Sequence, residues 1–198
     1  MSEKKYYNEN FWFSNAGQSK QGNVDGYSEK YYANQLYDQV LTKIKDVPND
    51  GYIVVIGSNK CISFNILCEF FGRERCLGID ISNPSGHPSV LVKNIMDFDT
   101  DDDIPIAMCH NDLGSFPLTP IAKWRAQIWG AKNTLQGGYF LGRNDFNSAK
   151  YPVEALMTRY KFVNTHLLGL TGFLDLDMPV SILEGHILSK KCLPEFKD

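Results

Sequence analysis

Apolar and polar positions change period several times along the chain, and each change marks an element. Over residues 28–45, Tyr32, Leu36, Val40 and Ile44 recur every four residues, which predicts a helix with one buried stripe. Ser28 suits the cap of that helix, Glu29 its positive end, and Lys43 and Lys45 its negative end. The turn DVPNDG (Asp46–Gly51) leads into a short apolar run, Tyr52–Ile56, read as a strand. Gly57 and the polar Ser58, Asn59 and Lys60 then turn the chain into a second helix, capped at Ser58 or Asn59. Its expected face is Ile62, Ile66 and Phe70, with Leu67 and Phe71 beside them and Gly72 as the stop. A second apolar run, Cys76–Ile79, ends on an acid, Asp80.

Beyond a loop at Ser82–Pro88 lies a short strand, Val90–Val92, and then the acidic run Asp97–Asp103. Within it, Asp99–Asp103 reads as a solvated loop, and calcium is disfavoured because the spacing and the distal glutamate of a calcium-binding loop are missing. A fourth strand is expected at Ile104–Cys109, with His110–Phe116 as the loop after it. Thr119 caps the next helix, Pro120 stands in its first turn, and Ile121, Trp124, Ile128, Ala131 and Leu135 form its apolar face. Gly137–Gly138 should stop it before a fifth strand, Tyr139–Leu141. A helix over 152–160 and strands at Phe162–Leu168 and Val180–Leu188 complete the series.

Alternating strands and helices imply a parallel sheet covered on both faces, and the helix-free connection at the end permits an antiparallel strand. The expected fold is therefore α/β, a three-layer sandwich whose seven-stranded, mostly parallel sheet has an antiparallel last strand. Residues 1–45, with Tyr6, Tyr7, Phe11, Trp12 and Phe13, should form a segment that packs on or caps the core, and 46–198 a Rossmann-like domain.

Composition narrows the function. The 198 residues carry a net charge of −3, which argues against a generic nucleic-acid or anionic-membrane binder. No apolar run is long enough to span a bilayer, and MSEKKYYNEN lacks the apolar core of a secretory signal. Cys61, Cys68, Cys76, Cys109 and Cys192 show no ligand spacing and read as buried thiols of a reducing, cytoplasmic protein.

Four stretches carry a resemblance: VVIGSNKCIS, CLGIDIS, NIMDFD, and MCHNDLGSF followed by TLQGGYFLGRND. In that order they resemble the class I S-adenosylmethionine-dependent methyltransferases over nearly the whole chain after residue 28. The resemblance implies S-adenosyl-L-methionine as cofactor. It places Gly57, Ser58 and Asn59 at the turn near the methionine and ribose, and Asp80, followed by Ile81, at the ribose hydroxyls. Asp97 would stand beside the adenine with Phe98 as an apolar wall, and Asn111 would border the cofactor's methyl group. Asp112 and His110 are the catalytic candidates, His110 as a general base. A small molecule is the expected acceptor, since NDLGSF lacks the prolines that amino-group methyltransferases of DNA and glutamine often carry.

The glycine turn departs from the family pattern. Val55 stands where an acid usually contacts the amino end of methionine, and Asn59 and Cys61 stand where further glycines sit. Those departures motivate an alternative, a non-catalytic binding or regulatory protein of the same fold. A third reading is a nicotinamide-dependent oxidoreductase, because Asp80 would serve an NAD ribose equally well. No metal is expected. The metal-dependent variant would hold magnesium through Asp112, Asn144 and Asp145, but Arg143 occupies the place of its first acid.

Overall fold

The computed structural model describes residues 36–58, 62–83, 85–94, 97, 104–112, 120–143, 159–168 and 186–192. Seven strands join one sheet: β1 (Tyr52–Ile56), β2 (Cys76–Asp80), β3 (Val90–Val92), β4 (Ile106–Asn111), β5 (Thr134–Arg143), β6 (Phe162–Leu168) and β7 (His186–Lys191). Their order is β3-β2-β1-β4-β5-β7-β6. The ladders from β3 to β5 are parallel, and β7 runs antiparallel to both β5 and β6. The expected α/β sheet with an antiparallel last strand is present.

The α-helices that flank the sheet are α1, helical over 36–43, α2 (Ile62–Phe71) and α3 (Pro120–Asn133). Alternation along the strands sends successive side chains to opposite faces. Ile53 and Val55 join Leu36, Tyr37 and Val40 of α1 and Phe64 and Leu67 of α2 in one apolar layer. Val54 and Ile56 join Ala126, Trp129 and Ala131 of α3 in the other. Helix α3 lies close to the sheet because it has Gly130 at the contact, where a Cβ would meet the Cys109 sulfur at 2.7 Å. Among the described residues, no helix is long and apolar enough to cross a membrane.

Several boundaries and faces differ from expectation. In α2 the buried residues are Phe64 and Leu67, while Phe70 is 57% exposed. The segment ISFNILCEFF is apolar around most of its circumference, so its period alone does not choose a face. In α3, Ala126, Trp129 and Ala131 are buried and Trp124 and Ile128 only partly so. Strand β4 begins and ends two residues later than expected, which puts His110 and Asn111 inside the sheet. Strand β7 is described over His186–Lys191, and the part 180–185 of the expected last strand lies outside the described residues. Of the expected helices over 28–45 and 152–160, the parts 28–35 and 152–158 lie outside the described residues.

Nor does Gly137–Gly138 end α3. The helix stops at Asn133 because side chains supply donors for its last carbonyls. Asn133 Nδ2 donates to Trp129 O at 3.1 Å, and Thr134 Oγ1 to Gly130 O at 2.7 Å. Lys191 Nζ, arriving from β7, donates to Ala131 O at 3.2 Å, Lys132 O at 3.0 Å and Thr134 O at 2.6 Å. Burial lowers the Lys191 pKa from its usual value, with Lys161 adding to the effect. Gly137, at φ 78°, instead sits where β5 shifts register against β4, between the pairs Ile106↔Thr134 and Met108↔Tyr139. Replacing the ammonium by an apolar tip, Lys191→Met, is expected to cost about 2 kcal/mol in urea denaturation, since three carbonyls lose one charged donor.

Candidate active site

Open α/β sheets bind ligands outside the carboxyl ends of their strands, where the strand order reverses. Here that point lies between β1 and β4, which both run parallel from the centre of the sheet. Two rows of residues build the site. The lower row reads Val90, Gly78, Val55, His110, Leu141 and Leu188 across six adjacent strands. It is aliphatic except for Gly78 and His110, and Val55 and His110 are both 0% exposed.

The upper row lies two residues nearer the strand ends. Ile56 pairs with both Ile79 and Asn111, so the next positions, Asp80, Gly57 and Asp112, fall side by side. The backbone confirms it: Gly57 N donates to Ile79 O at 2.8 Å, and Asp112 N to Ile56 O at 2.9 Å. Gly57 has φ 84°, a conformation that glycine adopts freely. Two carboxylates thus flank a residue without a side chain, roughly 10 Å apart at twice the ~4.8 Å strand spacing.

Each flank has its own support. Asp80 Oδ1 accepts from Ser82 N at 3.3 Å, and Lys93 N donates to Asp80 O at 2.8 Å, which fixes the strand end. Asp112 Oδ2 accepts from Ser63 Oγ, in the first turn of α2, at 3.3 Å. Asp112 Oδ1 lies 3.9 Å from His110 Nε2, and the Asp112 side chain is 24% exposed. His110 Nδ1 in turn lies 2.5 Å from the Tyr37 hydroxyl of α1. Ser58 is buried over Gly78, where an added Cβ would come 3.1 Å from Ser58 Oγ. That hydroxyl has no hydrogen-bond partner among the described residues.

This topology has counterparts among solved structures. An S-adenosylmethionine-dependent methyltransferase from Thermotoga maritima superposes with a TM-score of 0.56 at 13% identity, covering 88% of this chain and 97% of the other. One from Archaeoglobus fulgidus gives 0.52 at 12% identity, covering 84% and 100%. The 1,6-didemethyltoxoflavin-N1-methyltransferase of Burkholderia thailandensis, solved with 1,6-didemethyltoxoflavin and S-adenosylhomocysteine bound, gives 0.51 at 11% identity, covering 92% and 88%. No family model matches the sequence, and no curated protein matches it. The fold is that of the class I S-adenosylmethionine-dependent methyltransferases.

Within this methyltransferase fold the expected site residues separate into three groups. Gly57, Ser58, Asp80, Ile81, Asn111 and Asp112 gather at the ends of β1, β2 and β4. Asn111 is the last residue of β4, buried, and pairs with Ile56 and Gly142. Asp97 is exposed in the turn after β3, its amide donating to Asn94 O at 2.9 Å. Asn59, Phe98, Asn144 and Asp145 lie outside the described residues. His110, expected in the loop after the fourth strand, lies inside β4. It is fully buried, with one ring nitrogen turned to Tyr37 and the other 3.9 Å from Asp112 Oδ1.

Sequence reasoning missed Tyr37 and Ser63. Tyr37 stands three and seven residues before the buried Val40 and Ile44, a helical spacing that marks it as readily as Leu36. Among the described residues, no group of three or more His, Cys, Asp or Glu could hold a metal. Of the described thiols, Cys76 and Cys109 are buried and Cys68 and Cys192 only partly so. Burial pushes Cys76 up to about 12, with neighbouring Cys68 adding to it, and raises the fully buried Cys109 as well.

Proposed function

We propose that this protein transfers a methyl group from S-adenosylmethionine to a small-molecule acceptor in the cytoplasm. The observation that carries the reading is the row Asp80–Gly57–Asp112 at the point where the strand order reverses. The cofactor's ribose diol donates to Asp80, a charge-assisted pair. The bare Gly57 admits the chain between ribose and methionine, and Ser58 and Asn111 line the same strand ends. Methyl transfer is a displacement at a sulfonium, so placing the acceptor in line behind the methyl is the main requirement. The net charge of −3 and the small substrate bound by the structural neighbour from Burkholderia thailandensis support a small acceptor over nucleic acid.

Insertion of the antiparallel β7 between β5 and β6 favours this reading over NAD binding. Dinucleotide-binding sheets run through β6 without that insertion. One observation favours a second reading, a non-catalytic binding protein: Val55 is buried where the related enzymes have an acid.

Calorimetry with S-adenosylhomocysteine tests cofactor binding. The wild-type protein is expected to bind it, and Asp80→Asn to weaken binding by about 10–100-fold. The asparagine keeps an oxygen for Ser82 N, so its urea midpoint should stay near that of the wild type. Absence of binding at millimolar ligand sinks the proposal. Binding without transfer of a labelled methyl group to any acceptor establishes the second reading.

A further inference from the structure

The row at the strand ends holds two carboxylates, and the ribose accounts for one. The other, Asp112, stands across Gly57 on β4, fixed by its own amide to Ile56 O and by Ser63 Oγ. Resting on the cofactor reading above, we propose that Asp112 anchors the α-ammonium of the cofactor's methionine end and supplies from β4 the negative charge that β1 lacks at Val55.

Three features of the strand ends lead there. The first is reach. Asp80 and Asp112 are about 10 Å apart, two strand spacings. A ligand carrying a diol at one end and an ammonium at the other, joined by a short flexible thioether or sulfonium chain, spans that gap. The side-chain-free Gly57 lies under its middle.

The second is charge. Val55 is 0% exposed between Gly78 and His110, so β1 offers the ligand no carboxylate. Asp112 is 24% exposed, open to a ligand yet sheltered enough for an ion pair to be worth more than at a free surface.

The third is fixed position. Ser63 holds one carboxylate oxygen, and His110, tied to Tyr37, stands 3.9 Å from the other. A carboxylate held in this way loses little freedom when it receives a cation. His110 and Tyr37 are then positioning residues. They hold the wall behind Asp112 without touching the ligand.

The test compares S-adenosylhomocysteine with its desamino analogue by calorimetry, on the wild-type protein and on Asp112→Asn. The wild type is expected to prefer the amino compound by about 10–100-fold, the range of a charged hydrogen bond. The variant is expected to bind the two alike. Equal affinity of the wild type for both ligands overturns the proposal, and this arm holds even where the variant proves unstable. A variant that keeps the wild-type preference overturns it too. So does one that keeps its affinity but loses methyl transfer, because Asp112 would then act on the acceptor. Failure of the wild type to bind S-adenosylhomocysteine at all removes the cofactor reading itself, a result distinct from equal binding of the two ligands.

Discussion

Val55→Asp is expected to destabilise the protein strongly rather than to repair its cofactor turn. The substitution introduces the residue type that the resemblance to class I methyltransferases leads one to expect at this place, so a motif-based view predicts tighter cofactor binding. The surroundings oppose it. Val55 is 0% exposed, its strand neighbours are Gly78 and His110, and its layer contains Phe64, Leu67, Met108 and Leu141. An ionised carboxylate there loses its hydration, and the loss in stability should reach at least ~3 kcal/mol at neutral pH. The sign with pH follows from the same cause. Burial raises the folded-state pKa of the new carboxyl above the ~3.9 of an unfolded aspartate. Below that value both states hold the proton and the deficit is smallest. As pH rises past it, the unfolded chain ionises first and the deficit grows. Urea denaturation of variant and wild type at pH 4 and pH 7 would show the gap widening upward. A variant of wild-type stability that binds S-adenosylhomocysteine more tightly would refute the structural placement of Val55.

The second large effect is Phe64→Ala, expected to cost about 3–5 kcal/mol, against less than ~0.5 kcal/mol for Phe70→Ala. Both are phenylalanines of α2, six positions apart. Phe64 is 0% exposed and meets the His87 ring edge-on at a centroid distance of 4.9 Å. Its removal leaves a void between helix and sheet and also takes away the surface on which the loop before β3 rests. That loop holds itself by Asn83 to His87 O at 2.9 Å and by Ser89 N to His87 Nδ1 at 3.2 Å, so the ring of His87 is its one contact of this kind with α2 among the described residues. Phe70, 57% exposed and against Phe71, loses little that water does not replace. Comparable losses for the two would mean that α2 is rotated about its axis toward the Ile62–Ile66–Phe70 face.

That pair also shows what the sequence could and could not convey. The strands Tyr52–Ile56, Val90–Val92 and Phe162–Leu168 fall where expected, and the first is buried at four of its five positions, as an unbroken apolar run in a covered sheet should be. Asp80 was legible as the acid that ends the second run. Rotation of α2 was not, since apolar residues ring the helix and only the sheet selects among them. Strand β4 was cut short for a similar reason. His110 and Asn111 are polar and look like loop, yet a hydroxyl from Tyr37, 73 residues earlier, makes the imidazole acceptable in the sheet. A local window cannot see such a partner. The turn at Gly57 was legible as a ligand turn. The pairing of Asp80 with Asp112 across it needed the register.

The position of β7 has a consequence for the order in which the molecule assembles. In the sheet, β6 has β7 as its neighbour, and β7 fills the place between β5 and β6. The final carbonyls of α3 also wait for Lys191 of that strand. On a ribosome, the first five strands can therefore pair as they emerge, while β6 leaves the tunnel before β7, its neighbour in the sheet. The strand synthesised last of the seven closes two gaps in one step. A chain stalled ahead of it would expose the hydrogen-bonding edge of β5, the kind of edge to which chaperones and other nascent chains attach.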